Sequence, residues 1–309
     1  MSAAPETMRV FDRRLVRARR DRRAGDFARH DFLFREVAER LADRLSDVKR
    51  EFPLALDLGA RSGLMAGALK GRGGVKTLVQ AELSERLARA ARKLSPAVVA
   101  DEETLPFADN SFDLIVSCLS LHWVNDLPGA LAQIRRALKP DGLFLAALFG
   151  YGTLAELREA FLAAETATTG GAGPRISPFT ELRDGAALLQ RAEFALPVAD
   201  ADVINVTYGN AFELMRDLRG MGESNAVEAR PRRPLSRATL YHAGDLYTRR
   251  FAQNDGRVRA RFQIVYLTGW SPGPGQPEAK KPGSAVRRLS DALDATERPA
   301  GDKTGRKKQ

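Results

Sequence analysis

The stretch LALDLGARSGLMAGAL, Leu54 to Leu69, constrains this chain more than any other. A short apolar run reads as a buried strand, glycines at 59 and 63 bracket a tight turn, and a small-residue helix follows over 64–70. The alternation then continues through strand VKTLVQAELS, helix 85–94, strand PAVVADEE, strand SFDLIVSCLSL, a helix opened by Pro128, a turn at KPDG and strand LFLAALFG. Such a pattern predicts an α/β fold, a Rossmann-like doubly wound parallel sheet with ligand sites at the carboxyl ends of its strands. Upstream, residues 31–48 place Leu33, Val37, Leu41, Leu45 and Val48 at helical spacing, an amphipathic helix lying on the domain. After 151, two helical segments flank the loop TTGGAGPRISPFTE. The alternating strands VADADVINVTYG and VRARFQIVYLTGW, with helix NAFELMRDLRGMGES between them, are expected to close the same sheet. No internal repeat is visible.

The net charge of +10 would suggest a nucleic-acid surface if it covered the fold, but it sits at the ends. Residues 1–30 hold nine Arg against four acidic residues, and 271–309 hold nine Lys/Arg against five, which leaves 31–270 at +1. The reading is a basic N-terminal arm (1–30), a near-neutral domain (31–270) and a disordered basic tail (271–309). The arms are taken first as solvated, and second as contacts for RNA or an acidic partner. No apolar run reaches the length of a membrane span. The arginine-rich start has no apolar core for a secretory signal, and its interleaved Asp12, Asp21 and Asp26 argue against a transit peptide. Cys118 is the single cysteine, so neither an intrachain disulfide nor a cysteine-built zinc site can form. The expected compartment is the cytoplasm.

Asp57, Gly59 and Gly63 form a D-x-G-x-x-x-G skeleton at the strand-to-helix turn. Glycine lets the backbone approach a ligand, and a carboxylate just ahead accepts from an ammonium or hydroxyl group. Glu82 ends the second strand 23 residues after Gly59, where an acid can take both ribose hydroxyls. Asp101 and Glu102 follow the third strand, in reach of an adenine amino group. Three acidic points on successive strands suit an adenosine without phosphates, and the phosphate-loop pattern GxxxxGK[ST] is absent.

The segments LDLGARSG, QAELS and 100–150 resemble a class I S-adenosylmethionine-dependent methyltransferase domain. More narrowly, FDRRLVRARRDR, LSLHWVNDLPGAL, ISPFTELRDGAALLQRAEF, FELMRDLRGMGESNA and FQIVYLTGW resemble the complex I assembly arginine hydroxylases, from about Phe11 to Trp270. The resemblance implies a seven-stranded methyltransferase sheet with N-terminal helices and S-adenosylmethionine at Asp57, Gly59, Gly63, Glu82, Asp101, Glu102 and Leu119. It also implies a protein substrate, an arginine on a complex I iron–sulfur subunit, with peripheral contact to complex I intermediates. That family has glycine where Arg61 stands. Either Arg61 turns outward or reaches for the methionine carboxylate and binding survives, or its side chain crowds the pocket and leaves a relic site.

His122 follows the fourth strand on the ligand face, where it can act as a general base with Trp123 and Asn125 shaping the pocket. Alternatively His122 and Trp123 only pack under the adenine. Arg175 and Ser177, with Arg216, Asp217, Glu223 and Asn225, belong to the family-specific segments. Paired carboxylates match a guanidinium fork, so Asp217 and Glu223 are candidates to hold a substrate arginine, with Arg175 and Asn225 beside it. The competing expectation for Asp217 is an ordinary surface-helix position, solvated or locally paired.

Hydroxylation needs activated oxygen, and the three histidines, His30, His122 and His242, lie in different segments with no H-x-D pair, so no metal site is expected. Methyl transfer is therefore easier to defend from the residues alone. Two alternatives stand beside arginine modification: a methyltransferase for a small molecule or a carrier-protein carboxylate of the biotin-synthesis type, and a non-catalytic assembly chaperone. Nucleic-acid modification ranks lower, because no base-flipping motif follows the fourth strand, where CLSLHWVN stands. Oligomeric state has no signature.

Overall fold

In the computed structural model seven strands form one sheet in the order β3-β2-β1-β4-β5-β7-β6. They are β1 (Leu54–Leu58), β2 (Thr77–Glu82), β3 (Ala97–Val99), β4 (Phe112–Cys118), β5 (Leu138–Phe149), β6 (Ala195–Tyr208) and β7 (Val258–Trp270). The structure describes residues 9–179 and 181–276, with Asp291 and Asp294. β1 to β5 pair in parallel, as the alternation predicts, whereas β7 runs antiparallel to both β5 and β6. The two late strands do close the same sheet. The strand order reverses between β1 and β4, and such a switch point opens a crevice at the carboxyl ends of the strands.

The helices are α1 (Arg13–Arg23), α2 (Phe32–Asp43), α3 (Leu64–Ala68), α4 (Glu85–Ala91), α5 (Leu127–Ala137), α6 (Ala155–Thr169), α7 (Leu182–Arg191), α8 (Ala211–Gly220) and α9 (Arg237–Phe251). None of the described helices is long and apolar enough to cross a membrane. α2 buries Leu33, Phe34, Val37, Leu41 and their alanine neighbours on one sheet face, each large side chain contributing about 1.5–3 kcal/mol. α5, capped by Asp126 and carrying Pro128 in its first turn, puts Leu131 and Ile134 on the other face with Leu189 of α7.

Three expectations change. KPDG is no turn: it lies inside β5, where Asp141 takes a φ of +61° and the register against β4 shifts between Phe112 and Leu114. α9 has no counterpart in the sequence reading. Over residues 9–30 the basic arm is not a free solvated tail, because one side of α1 is buried across the carboxyl ends of the strands while Arg14, Arg17 and Arg22 stay exposed. Its Phe11 and Val16 pack with Leu83, Trp123, Ala226 and Val227 in a third apolar cluster, and Phe11 bridges Val227. Ser271 is buried and exchanges backbone hydrogen bonds with Asp141 and Gly142, so the ordered chain passes Trp270. The tail from 277 onward lies outside the described residues, Asp291 and Asp294 excepted.

Candidate active site

Local backbone chemistry places the first elements of the site. Gly59, at φ +80°, has no room for a Cβ, which would stand 2.2 Å from the side chain of Ser120, and Gly63 adopts φ +91°. Between them Arg61 is left-handed at φ +52°, and Leu119, just past β4, at φ +49°. Each costs on the order of 1–2 kcal/mol for an L side chain. The two strained residues meet: Arg61 Nη2 donates to the Leu119 carbonyl at 3.3 Å.

Arg61 turns inward, not outward. It is buried, pairs with Glu223 through Nη2, and lays its guanidinium 5.0 Å from the ring centre of Phe34. Its backbone amide donates to Glu82 at 2.8 Å. The other Glu223 oxygen lies 3.0 Å from His122 Nε2 and accepts from Trp123 Nε1 at 2.9 Å. Burial would raise the Glu223 pKa, but Arg61, His122 and Arg20 outweigh it and hold the carboxyl down at about 2. Burial lowers the His122 pKa despite Glu223, so the imidazole is neutral at physiological pH. A buried carboxylate thus joins an arginine, a neutral histidine and an indole.

The adenosine acids are also paired. Glu82 accepts from the Ser84 amide at 2.9 Å and from Arg20 Nη1 at 3.1 Å. Glu102 accepts from Arg20 at 3.1 Å, from Ser120 Oγ and from Arg13, while Arg13 also reaches Asp101 at 2.6 Å. Arg20 Nη2 donates to Ser120 Oγ at 2.9 Å. Arg13 and Arg20 were not anticipated; the one sequence signal was Val16, whose apolar face they share at helical spacing. Asp57 differs, because neither carboxylate oxygen has a hydrogen-bond partner and the group is fully buried. Burial first, then the charge of Glu82, push its pKa well above the carboxylate range.

The other expected site residues part company. Asn125 clips the arm: its Oδ1 accepts from the amides of Val10 and Phe11 at 2.8 and 2.7 Å, and its Nδ2 donates to Glu103 at 2.9 Å. Asp217 is not in the His122 cluster; partly exposed, it pairs with His30, lying 2.6 Å from Nδ1. Asn225 donates to the Pro174 carbonyl at 2.6 Å, tying two loops together. Arg175 pairs with Glu165 of α6. Cys118 is a buried free thiol that donates to the Phe34 carbonyl at 3.7 Å, with burial raising its pKa. Among the described residues no three His, Cys, Asp or Glu side chains gather as a metal site.

A cavity of about 590 Å³ opens onto His122. Phe11, Tyr151 and Phe179 give it aromatic walls, Glu181 and Asp184 stand at the start of α7, and Arg191 is the one arginine or lysine lining it among the described residues. His122 itself packs against Phe149 and Phe179 at 4.7 and 5.9 Å between ring centres.

The strand order, the glycine turn and the row of strand-end acids define a class I methyltransferase fold. A methyltransferase-domain family model matches residues 56–146, and the YcgJ protein of Bacillus subtilis superposes with a TM-score of 0.53 at 16% identity, over 75% of this chain and 97% of that one. The chain belongs to the arginine-hydroxylase NDUFAF5 family: it is 44% identical to the human mitochondrial protein over 92% of this chain and 84% of that one, and 45% identical to the zebrafish protein. It is also 35% identical to the malonyl-[acyl-carrier protein] O-methyltransferase of Halorhodospira halophila, over 92% of this chain and 96% of that one.

Proposed function

We propose that the chain modifies an arginine of a protein client, an iron–sulfur subunit of complex I, by hydroxylation as its relatives' name states. The observation that carries this reading is the cavity at His122, where Asp184, with Glu181 beside it, lines a space walled by Tyr151 and Phe179. Carboxylates match the guanidinium fork and aromatic faces stack on its plane, whereas a carboxylate substrate would meet like charge there. Inserting one oxygen atom of dioxygen into a C–H bond takes two electrons and two protons from a reductant and releases the second atom as water. The residues of this chain bind and orient the arginine, and the neutral His122, held by Glu223, can accept or return a proton at Nδ1, which has no partner.

S-adenosylmethionine fits the residues at its methionine end. The unpartnered oxygens of Asp57 suit its ammonium, and the unpartnered Nε and Nη1 of Arg61 suit its carboxylate. Glu82, with Gly59, Gly63 and Leu119 around it, is the acceptor for the ribose, and Glu102 with Asp101 for the adenine. Arg20 and Arg13 must release these carboxylates for the nucleoside to enter. When bound, the cofactor supplies an activated methyl group on a sulfonium. Transfer of that methyl to a carrier-protein carboxylate is the second reading, favoured by the likeness to the O-methyltransferase. The lone buried thiol is compatible with a cytoplasmic setting.

The test is mass spectrometry of the client subunit from cells lacking this chain, complemented by wild type or by Glu181→Lys with Asp184→Lys. Addition of one oxygen to an arginine in the wild-type complement alone is expected. An arginine still hydroxylated without the chain rejects this reading, and labelled methyl on a carrier protein establishes the second.

A further inference from the structure

On the other side of the Glu223–Asn225 segment lies a second cavity, of about 610 Å³, to which, among the described residues, eight arginines and no acidic residue contribute. Three of the eight already hold carboxylates: Arg175 pairs with Glu165, Arg230 with Asp12 at 3.1 Å, and Arg232 with Glu228 at 2.8 Å. Arg19 donates to the Ser224 and Asn225 carbonyls. The remaining four, Arg22, Arg23, Arg219 and Arg233, have no carboxylate partner among the described residues. Crowding shows on Arg19, whose pKa falls through burial and through the charges of Arg230 and Arg22. So many cations around one concave space repel one another until an anion enters.

The remaining described lining, Ser224, Asn225, Pro231, Pro234 and Leu235, contains no aromatic ring on which a base could stack. Guanidiniums separated by proline and leucine match an extended peptide that alternates carboxylates with apolar residues. The segment from Gly173 to Phe179 links the two cavities: Arg175 lines this one, and Phe179, four residues on, lines the cavity at His122. From these observations we infer that the arginine-lined cavity is the docking site for an acidic peptide segment of the client, seated beside the segment that presents the modified arginine. The inference rests on the arginine-modifying reading for what lies in the neighbouring cavity, but not for the occupant of this one. Because unpaired rim cations govern encounter more than packing, binding is expected to weaken steeply with salt.

The full chain is titrated with three fluorescein-labelled twelve-residue peptides: four Asp/Glu followed by one Arg, the same acids with the Arg replaced by Gln, and the Arg peptide with its acids replaced by Asn/Gln. Both acidic peptides are expected to bind, and the acid-free one at least about tenfold more weakly. Arg22→Glu with Arg219→Glu and Arg233→Glu, all at the surface, is expected to abolish the difference while its circular dichroism matches wild type. Equal binding of the acid-free peptide, or an acidic preference that survives in the triple variant, overturns the inference. So does tighter binding of an oligouridylate of matched charge, which would make the cavity a nucleic-acid site. If the two acidic peptides bind alike and the arginine emerges unmodified, it is the arginine-modifying reading that fails, and the acidic docking site stands.

Discussion

Arg20, from the first helix, donates to Glu82 at the end of the second strand at 3.1 Å, with both side chains fully buried. A basic arm therefore sits on the carboxylate expected to take a ribose, and Glu102 shares the same guanidinium. A buried ion pair is costly to break from one side, because the surviving charge stays desolvated.

Arg20→Gln is accordingly expected to destabilise the protein by about 3–5 kcal/mol, read from urea unfolding. The same variant frees Glu82 from its competitor, so S-adenosylmethionine should bind it more tightly than wild type by calorimetry. Unchanged stability would show that the helix is only loosely seated.

Glu223→Gln removes the charge that balances Arg61 while keeping a hydrogen-bond acceptor for Trp123. A loss of about 3 kcal/mol is expected, since the Arg61 guanidinium remains buried. Restoration by Arg61→Gly in the same chain, read as the unfolding midpoint, would confirm that the two charges are kept as a pair.

The pairs predict acid sensitivity of a stated sign. Glu223 is held at about 2 against an ordinary value of 4.5, so its contribution is complete above pH 4.5 and is lost as pH falls toward 2. Glu102 is also lowered and acts in the same sense. His122, lowered from 6.5, starts the decline earlier, because below that pH the unfolded chain takes up a proton that the buried ring refuses. Asp57, raised from 3.8, works the other way and loses stability as pH rises. The stability difference between wild type and Glu223→Gln, measured by urea titration, should therefore shrink between pH 4.5 and 2.

Gly59→Ala drives a methyl group to within 2.2 Å of Ser120 at a left-handed backbone position. A cost of about 2–3 kcal/mol is expected from overpacking and strain together, read as a lowered thermal midpoint.

Asn125→Ala leaves the amides of Val10 and Phe11 without their acceptor. Faster hydrogen exchange over residues 9–12, with little change in the sheet, is the expected result, at about 1–2 kcal/mol.

The sequence by itself determined the parallel half of the sheet and the row of strand-end acids. Apolar periodicity and the glycines at 59 and 63 are local signals, and the alternation from Leu54 to Phe149 carries them without help from distant residues. It also determined that Arg61 is exceptional, though not its direction. Tertiary structure decided what each charge meets. Arg61 pairs with a residue 162 positions away, Arg20 with one 62 away, and Asp217 with His30 rather than with the His122 cluster. A guanidinium in a run of arginines looks like any solvated cation until burial removes water as its partner, and only the packed fold supplies that burial. That physical difference turned an arm read as solvated into one wall of the candidate site.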